Sequence, residues 1–230
     1  MVSIIVPTLN EEVAIGDTLK ALFALEGEKE VIVCDGGSTD RTVDIAFELG
    51  AKVIGAERGR GTQMHAGVGA ASGDVLWFVH ADTLPPPHGL HEIVSALSDG
   101  RVAGGNFGLL FDGNTRAARQ ATFIYPLLRA VNCCYGDSGI FVRRDVYVAT
   151  GGFQQLRIFE DLDLLRRIRK RGKFVHLKCR IVTSSRRFEH RNFWGMCAHW
   201  LSMQILYWCG VNPNWLARHY GDIRRRNPAK

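Results

Sequence analysis

Apolar and polar residues follow each other along the first half of the chain in blocks that predict strands and helices in turn. Short apolar runs that predict strands lie at 3–7, 30–34, 52–55 and 75–79. The segments between them predict helices over about 10–25, 40–49 and 60–72, with Asn10 and Ser38 as the N-caps of the first two. Strands that alternate with helices of about ten residues indicate parallel βαβ units. We therefore predict a nucleotide-binding type of sheet for this half.

The pattern changes after Pro85-Pro86-Pro87. A helix is predicted over 88–98, and residues 104–111 alternate like a strand of a mixed sheet. Residues 115–133 are predicted to be helical, with Pro126 kinking or splitting the helix. A turn, a short strand and a helix start follow over 136–144, then a helix to about Arg171 and short strands at 174–177 and 180–183. The fold class is therefore α/β, with a mixed, mainly parallel sheet and helices on both faces.

The segment 193–209 is apolar on nearly every side and is interrupted only by His199, Ser202 and Gln204. With these interruptions it falls short of a membrane-spanning helix. Three alternatives stay open for it: a helix packed on the domain, a homodimer contact through 193–220, or an interfacial membrane helix flanked by Arg and Lys. We predict one domain over 1–190 and a C-terminal amphipathic helical extension over 191–230.

The net charge of +6 is concentrated in the second half of the chain. Residues 166–191 contain eleven Lys or Arg and one acid, and Arg224-Arg225-Arg226 forms a further cluster. Such a distribution favours an anionic partner: a nucleoside diphosphate, a phospholipid surface or a nucleic acid. No basic segment precedes the strand-like residues at Val2, so no signal peptide is predicted. The six cysteines show no CxxC spacing, which indicates reduced, mostly buried thiols of a cytosolic protein.

Three carboxylates follow predicted parallel strands directly: Glu11, Asp35 and Asp82. Ligands of open α/β sheets bind at the carboxyl ends of the strands, so all three are expected at one edge of the sheet. Three acids without partners repel one another, and a nucleotide with its ribose hydroxyls and a metal ion would satisfy them. The alternative is that some of them cap helices.

Further candidates for functional residues are basic and acidic side chains outside this edge. No GxGxxG follows the first strand and no GxxxxGK[ST] occurs, so neither a dinucleotide fingerprint nor a P-loop is predicted. Arg60, on a glycine-rich segment, and the pair Arg186-Arg187 are candidates for phosphate contacts. Glu160-Asp161, at the start of a helix, is the best candidate for a general base, because a carboxylate there stays ionised. Simple helix capping is the alternative for this pair.

In combination these segments resemble family 2 glycosyltransferases with the GT-A fold. The resemblance covers roughly residues 2–190 and rests on four motifs in order: Val6-Pro7-Thr8-Leu9-Asn10-Glu11-Glu12, Val33-Cys34-Asp35-Gly36-Gly37-Ser38-Thr39-Asp40, His80-Ala81-Asp82 and Glu160-Asp161. Two more segments, 136–144 and 184–188, are similar to a small bacterial subgroup often described as arsenosugar-biosynthesis-type glycosyltransferases.

The resemblance implies a role for each matching position. Pro7, Thr8, Glu11 and Asp35 would hold the nucleoside of the donor. Asp82 would be the second acid of the DxD element that binds Mg²⁺ or Mn²⁺ on the donor diphosphate, and His80 stands where the first acid is common.

Asp161 would be the base that deprotonates the acceptor hydroxyl for an inverting single displacement. The implied enzyme uses a UDP- or GDP-sugar and an acceptor that the sequence does not identify. We expect it in the cytoplasm, with contact to the inner face of the membrane as one alternative, and without a nucleic-acid partner.

Two other functions remain as alternatives. One is a sugar-nucleotide nucleotidyltransferase, which would need a glycine-rich loop after the first strand that residues 7–10 do not supply. The other is a non-catalytic protein that binds a membrane surface or an anionic ligand through its basic residues.

Overall fold

The computed structural model describes residues 1–130, 135–186 and 193–219. The strands are β1 (Val2–Thr8), β2 (Lys29–Asp35), β3 (Lys52–Gly55), β4 (Val75–Phe78), β5 (Thr83–Leu84), β6 (Val102–Phe111), β7 (Phe141–Arg143) and β8 (Lys173–Thr183). The α-helices are α1 (Ile15–Phe23), α2 (Thr42–Glu48), α3 (Arg60–Ala70), α4 (Gly89–Leu97), α5 (Arg116–Ala130), α6 (Arg144–Ala149), α7 (Glu160–Ile168), α8 (Phe193–Trp208) and α9 (Pro213–Leu216). A 3₁₀ turn covers Gly136–Ser138.

The strands form one sheet in the order β3-β2-β1-β4-β7-β6-β8-β5. β1 pairs in parallel with β2 and with β4, β2 with β3, and β6 with β8. The remaining neighbours, β4 with β7, β6 with β7 and β5 with β8, are antiparallel. This arrangement confirms the mixed, mainly parallel sheet.

Two apolar clusters cover the two faces of the sheet. In β1, Ile4 belongs to one cluster and Ile5 to the other, because successive side chains of a strand point to opposite faces. The first cluster includes buried residues of α1, α2 and α4, and the second includes residues of α3, α6 and α7. Helices therefore lie on both faces, as predicted.

Helix α3 packs unusually closely on the sheet at Gly67. A Cβ atom at this position would lie 2.5 Å from Ile5 Cγ2 and 2.6 Å from Cys34 Sγ. Such distances lie far inside van der Waals contact, so a side chain here would force α3 away from β1 and β2. Because Gly67 has no side chain, α3 can pack close to the strands that lead into the site.

The two predicted helix caps are wrong. Helix α1 begins at Ile15, and Asn10 instead has φ 53° while its Oδ1 accepts a hydrogen bond from the Thr39 amide. Helix α2 begins at Thr42, and the Ser38 hydroxyl donates to Asp35 Oδ1 at 2.5 Å. Both side chains hold the loops after β1 and β2 together, so their hydrogen-bonding atoms are used between loops.

Pro126 does not split its helix, because α5 runs from Arg116 to Ala130 without interruption. Proline removes one backbone hydrogen bond, and the packing of the buried Ala121 and Tyr125 compensates for that loss. The two strands predicted at 174–177 and 180–183 are one strand, β8, with a register shift against β6. Helix α7 ends at Ile168, before the predicted Arg171.

The predicted C-terminal helix is present as α8. Its inner side packs against α5 through Phe193 and Met196, and against residues 158 and 216 through Met203. No helix in the described ranges is long and apolar enough to cross a bilayer. The predicted boundary at residue 190 lies outside the described residues and stays a prediction.

Candidate active site

The carboxyl ends of β1 and β2 meet at Thr8 and Asp35, which face each other in register. The Asp35 carboxylate accepts hydrogen bonds from the Gly37 and Ser38 amides at 2.9 Å, and from the Ser38 hydroxyl. Its other neighbour is the Thr8 hydroxyl, at 3.4 Å. The carboxylate is thus held at the sheet edge with most of its acceptor capacity directed to one loop.

Arg186 joins the other two predicted acids. Its Nη2 lies 2.8 Å from Glu11 Oε2 and 2.8 Å from Asp82 Oδ2, across 175 and 104 residues of sequence. Burial acts to lower the pKa of Arg186, but the hydrogen bonds and negative charges of these two carboxylates raise it above its usual range. We call Glu11, Asp82 and Arg186 the open cluster, because the arginine side chain is about half exposed (49%).

Gln63 of α3 closes the floor of this edge. Its Nε2 donates to the carbonyl oxygens of Thr8 at 2.6 Å and of Cys34 at 2.8 Å, next to the predicted nucleoside contact Pro7. Sequence patterns do not predict this role of Gln63, because a buried glutamine on a helix belongs to no motif. It fixes the ends of β1 and β2 relative to each other.

A second cluster lies at the start of α7. Glu160 and Asp161 are 1% and 3% exposed, and Arg60 Nε donates a short hydrogen bond to Glu160 Oε1. Asp161 Oδ2 accepts from the Gly136 amide at 2.6 Å, and Asp161 Oδ1 accepts from the Leu162 amide at 2.8 Å. We call Glu160, Asp161 and Arg60 the closed cluster.

Burial, together with the negative charge of Glu160, raises the pKa of Asp161 to about 6. The positive charge of Arg60 and the two backbone amides act in the opposite direction. A carboxylate with a pKa near neutrality is well suited to take up a proton and release it.

Arg60 itself has a pKa above its usual range. Burial acts to lower it, and the charges of Glu160 and Asp161 outweigh that effect. Arg60 therefore stays charged beside the acid pair.

The structure thus separates the predicted phosphate contacts. Arg60 lies with the acid pair, whereas Arg186 lies with Glu11 and Asp82. Arg187 lies outside the described residues. The donor-binding roles of these arginines stay predictions.

His80, two residues before Asp82 in the sequence, lies beside the turn that contacts the closed cluster. Its Nδ1 lies 2.9 Å from Asp137 Oδ1, and its buried Nε2 has no hydrogen-bond partner within the described part of the chain. A Cβ atom at Gly136 would lie 3.1 Å from His80 Nε2 and 3.4 Å from Asp161 Oδ2. Glycine at this position therefore keeps the histidine and the acid next to the same backbone amide.

The 3₁₀ turn that carries Gly136 is held from beneath by a buried polar network. Asn106 Nδ2 donates to Ser138 Oγ at 2.9 Å, and Ser138 Oγ donates to the Tyr135 carbonyl at 2.6 Å. His176 Nδ1 lies 2.7 Å from Asn106 Oδ1. Burial, together with nearby arginines, lowers the pKa of His176 to about 4, so the neutral ring donates to Asn106.

Helix α8 supports the acid pair from the other side. Phe159, directly before Glu160, has φ 61°, which is rare for a residue with a side chain, and its ring stacks on Tyr207 at 4.9 Å. Tyr135 donates to Gln204 Oε1 at 3.2 Å. Local backbone strain of this kind persists only where the surroundings enforce it.

Asp82 and His80 are the predicted metal ligands. No group of three or more His, Cys, Asp or Glu side chains is arranged to hold a metal ion alone within 1–130, 135–186 and 193–219. A cation that is shared with a diphosphate needs only one or two protein carboxylates, since phosphates and water complete its shell. Asp82 is partly exposed at the sheet edge, so the residues present fit a cation only when the donor brings ligands of its own.

Sequence reasoning found the acids but missed most of their partners. The turn predicted at the start of 136–144 contains Asp137, but nothing in the sequence indicates its contact with His80. The left-handed backbone of Phe159 has no local signal either. Among the described cysteines, Cys34 is buried as expected but Cys209 is exposed.

The mixed α/β sheet and the two acid clusters agree with the family resemblance of the sequence. Residues 3–158 match the model of glycosyl transferase family 2, and the chain belongs to that family.

Curated relatives agree with this assignment. The chain is 25% identical over 226 residues to a probable glycosyltransferase, YdaM, of Bacillus subtilis (strain 168), covering 84% of this chain and 52% of the relative. It is 35% identical over 96 residues to glucosyl-3-phosphoglycerate synthase of Mycolicibacterium smegmatis, covering 37% of this chain and 32% of the relative. The chain thus spans about half the length, or less, of these relatives.

Solved structures show the same fold. The mannosyltransferase PcManGT from Pyrobaculum calidifontis, in complex with GDP-Man and Mn²⁺, aligns with a TM-score of 0.70 and 18% identity, covering 95% of this chain and 69% of that one. Glucosyl-3-phosphoglycerate synthase from Mycobacterium tuberculosis, in complex with Mn²⁺, UDP and glucosyl-3-phosphoglycerate, aligns with a TM-score of 0.59 and 21% identity, covering 92% and 80%. At these identities the likeness shows the fold, and the GT-A prediction is confirmed.

Proposed function

We propose that the protein transfers a sugar from a UDP- or GDP-sugar to an acceptor hydroxyl, with a divalent cation and with inversion at the anomeric carbon. The observation that carries this proposal is the buried Asp161, whose pKa is raised to about 6 beside the same turn that holds His80. The Mn²⁺, UDP and GDP-Man named for the structural neighbours support the choice of donor and cation.

In this mechanism Asp161 takes the proton of the acceptor hydroxyl. The acceptor oxygen then forms a bond to the anomeric carbon, while the bond from that carbon to the diphosphate oxygen breaks and its electron pair stays on the diphosphate. The Gly136 amide and Arg60 keep the Asp161 carboxylate oriented and ionised before it takes up the proton. Glu160 fixes Arg60 in place through its ion pair.

On the donor side, Asp35, Thr8, Pro7 and Glu11 hold the nucleoside at the sheet edge. Mg²⁺ or Mn²⁺, held by Asp82 with His80, would offset the charge that develops on the leaving diphosphate. Arg186 exchanges its contacts with the carboxylates for contacts with the diphosphate.

The proposal is tested by a thermal-shift panel of nucleoside diphosphates and nucleoside diphosphate sugars, with Mn²⁺ and with a chelator. A donor that binds raises the melting temperature by mass action, and the shift is expected to depend on Mn²⁺. The sugar product of the best donor is then examined by NMR for inversion. A panel without any shift, or a product with retained configuration, would contradict the proposal.

Finer assignments remain predictions. These are the arsenosugar-type subgroup and a location in the cytoplasm at the inner face of the membrane. The acceptor is not identified by any of the contacts described.

A further inference from the structure

We infer that the outer face of α8 docks on an anionic lipid surface. This inference goes beyond the proposed function and does not rest on it. It starts from five exposed positions spaced four and three residues apart on one side of the helix, Trp194, Ala198, Leu201, Ile205 and Trp208. We call these five residues the α8 stripe.

Two helices next to α8 also expose large apolar side chains. Helix α5 packs against α8 and exposes Phe123 and Leu127, and Trp215 of α9 is also exposed. Exposed apolar residues are normal when they are scattered, but contiguous ones mark a contact surface. The α8 stripe and its neighbours are therefore a surface for a partner.

The charges around the stripe decide which partner. Helix α8 contains no Asp, Glu, Lys or Arg, whereas the sequence from 186 to 230 contains eight Lys or Arg and two acids outside the helix. On the neighbouring helix, Arg116 and Arg119 are exposed. An apolar helical face with tryptophan at both ends and bases around it is the composition of helices that lie in the interface of an anionic bilayer.

A second copy of this chain fits the same surface less well. The sequence is basic on both sides of α8, so the flanking sequences of two copies in a symmetric dimer through this helix carry the same charge, whether the two helices run parallel or antiparallel. Like charges would then be brought together, whereas anionic lipid headgroups would be attracted. Since α8 has 16 residues and no helix in the described ranges can cross a bilayer, the contact lies along the surface.

The inner side of α8 links the docking surface to the candidate active site. Tyr207 stacks on Phe159 and Gln204 accepts from Tyr135, and each of these partners directly precedes a residue of the acid pair or its supporting turn. The same helix thus faces lipid on one side and the closed cluster on the other. Docking places the candidate active site within one helix diameter, about 10 Å, of the bilayer surface.

The test is sedimentation of the full chain with vesicles of phosphatidylcholine, alone and mixed with phosphatidylglycerol, at low and high salt. The informative variant is Leu201→Gln with Ile205→Gln, at positions that are 58% and 48% exposed. The matched control is Phe47→Gln with Val148→Gln, at helical positions elsewhere that are 77% and 67% exposed. Wild type and control should bind the anionic vesicles in a salt-sensitive way. The affinity of the α8 variant for these vesicles should be at least ~tenfold lower.

Two further measurements keep the outcomes separate. Brominated lipids should quench tryptophan fluorescence in the wild type, and Trp194→Phe with Trp208→Phe should weaken that quenching, with Trp215 as the remaining exposed tryptophan of the surface and Trp77 buried. Melting temperature and the molar mass in solution are measured for every variant, to control for folding and association.

Absence of vesicle binding, or equal binding by the α8 variant and the wild type, would overturn the inference. A wild-type dimer that the α8 variant dissociates, without vesicle binding, would assign the stripe to self-association instead. Because vesicle binding is measured without a donor, a protein that binds vesicles but no nucleotide would contradict the proposed function alone.

Discussion

The open and closed clusters have the same composition, two carboxylates and one arginine, but they differ in their access to solvent. In the open cluster, Arg186 is half exposed and bridges Glu11 and Asp82 with single hydrogen bonds. In the closed cluster, Glu160 and Asp161 are almost fully buried. The comparison shows that one set of residue types can provide either an exchangeable contact or a fixed one.

The solvent exposure of each ion pair determines whether its arginine can leave the carboxylates. A half-exposed ion pair is weakened by water and salt, so Arg186 can leave its carboxylates when a diphosphate and a cation arrive. In the closed cluster the Arg60 side chain is also partly exposed (36%), but Glu160 is 1% exposed, so breaking this pair would leave a buried carboxylate without compensation. Arg60 is therefore expected to stay with Glu160 throughout the reaction, and the charge it supplies to Asp161 is constant.

The largest effect is expected for a substitution of Asp161, the proposed base of the closed cluster. Asp161→Asn should lower kcat by about 10²–10⁴-fold, since asparagine cannot accept the proton of the acceptor. Binding of the nucleoside diphosphate, measured by calorimetry, should change less than about twofold because the open cluster is untouched. Asp145→Asn, an exposed change on α6, serves as the control, and full turnover by the Asp161 variant would refute the base assignment.

A smaller effect is expected at the open cluster. Asp82→Ala should weaken the Mn²⁺-dependent binding of UDP or GDP by about ten- to a hundredfold, because it removes the carboxylate proposed for the cation. The pH dependence of turnover should remain as in the wild type, since Asp161 keeps its surroundings. Calorimetric titrations with and without a chelator measure this effect, and identical curves for variant and wild type would contradict it.

The same Asp161→Asn variant should be more stable than the wild type at neutral pH. The pKa of Asp161 is raised from 3.8 to about 6 in the folded protein, so its ionisation costs stability as the pH rises through this window. Asparagine does not ionise, although its amide nitrogen cannot accept one of the two backbone hydrogen bonds of Asp161, and a net gain of about 1 kcal/mol in the free energy of unfolding is expected above pH 6.

Well below pH 3.8 the ionisation contribution should vanish, because Asp161 is then protonated in both states. Urea unfolding at several pH values measures the difference. A gain that is independent of pH would point to packing instead of ionisation.

The smallest effect concerns the charge that Arg60 supplies. Arg60→Gln should raise the pKa of Asp161, because the arginine lowers it in the wild type. The acidic limb of the pH profile of kcat/KM, expected near pH 6, should then move to higher pH, with a loss of activity of about two- to tenfold at pH 7. Arg60→Lys keeps the charge and should leave the limb nearly in place, so equal shifts in both variants would argue for a packing role.

The sequence predicted local features well and distant contacts poorly, for a physical reason. Strands and helices follow from the spacing of neighbouring residues, and so the order of β1 to β4 and the edge with Glu11, Asp35 and Asp82 could be predicted. The antiparallel pairing of β4 with β7 has no local signal, because nothing in either strand encodes its partner.

The same limit applies to the site. Arg186 meets Glu11 across 175 residues, and Arg60 meets Glu160 across 100 residues. Such pairs depend on the complete topology of the sheet, and residues of the same type elsewhere were equally good candidates by sequence. The caps assigned to Asn10 and Ser38 failed for a related reason, since their side chains serve contacts between loops.

The close packing of α3 on the sheet at Gly67 limits which substitutions the protein tolerates. Gln63 and Arg60 lie one and two turns before this glycine on the same helix, so the sheet-to-helix spacing determines where both side chains end. The reach of Arg60 to the acid pair is thus set by backbone contact, far from any reacting atom.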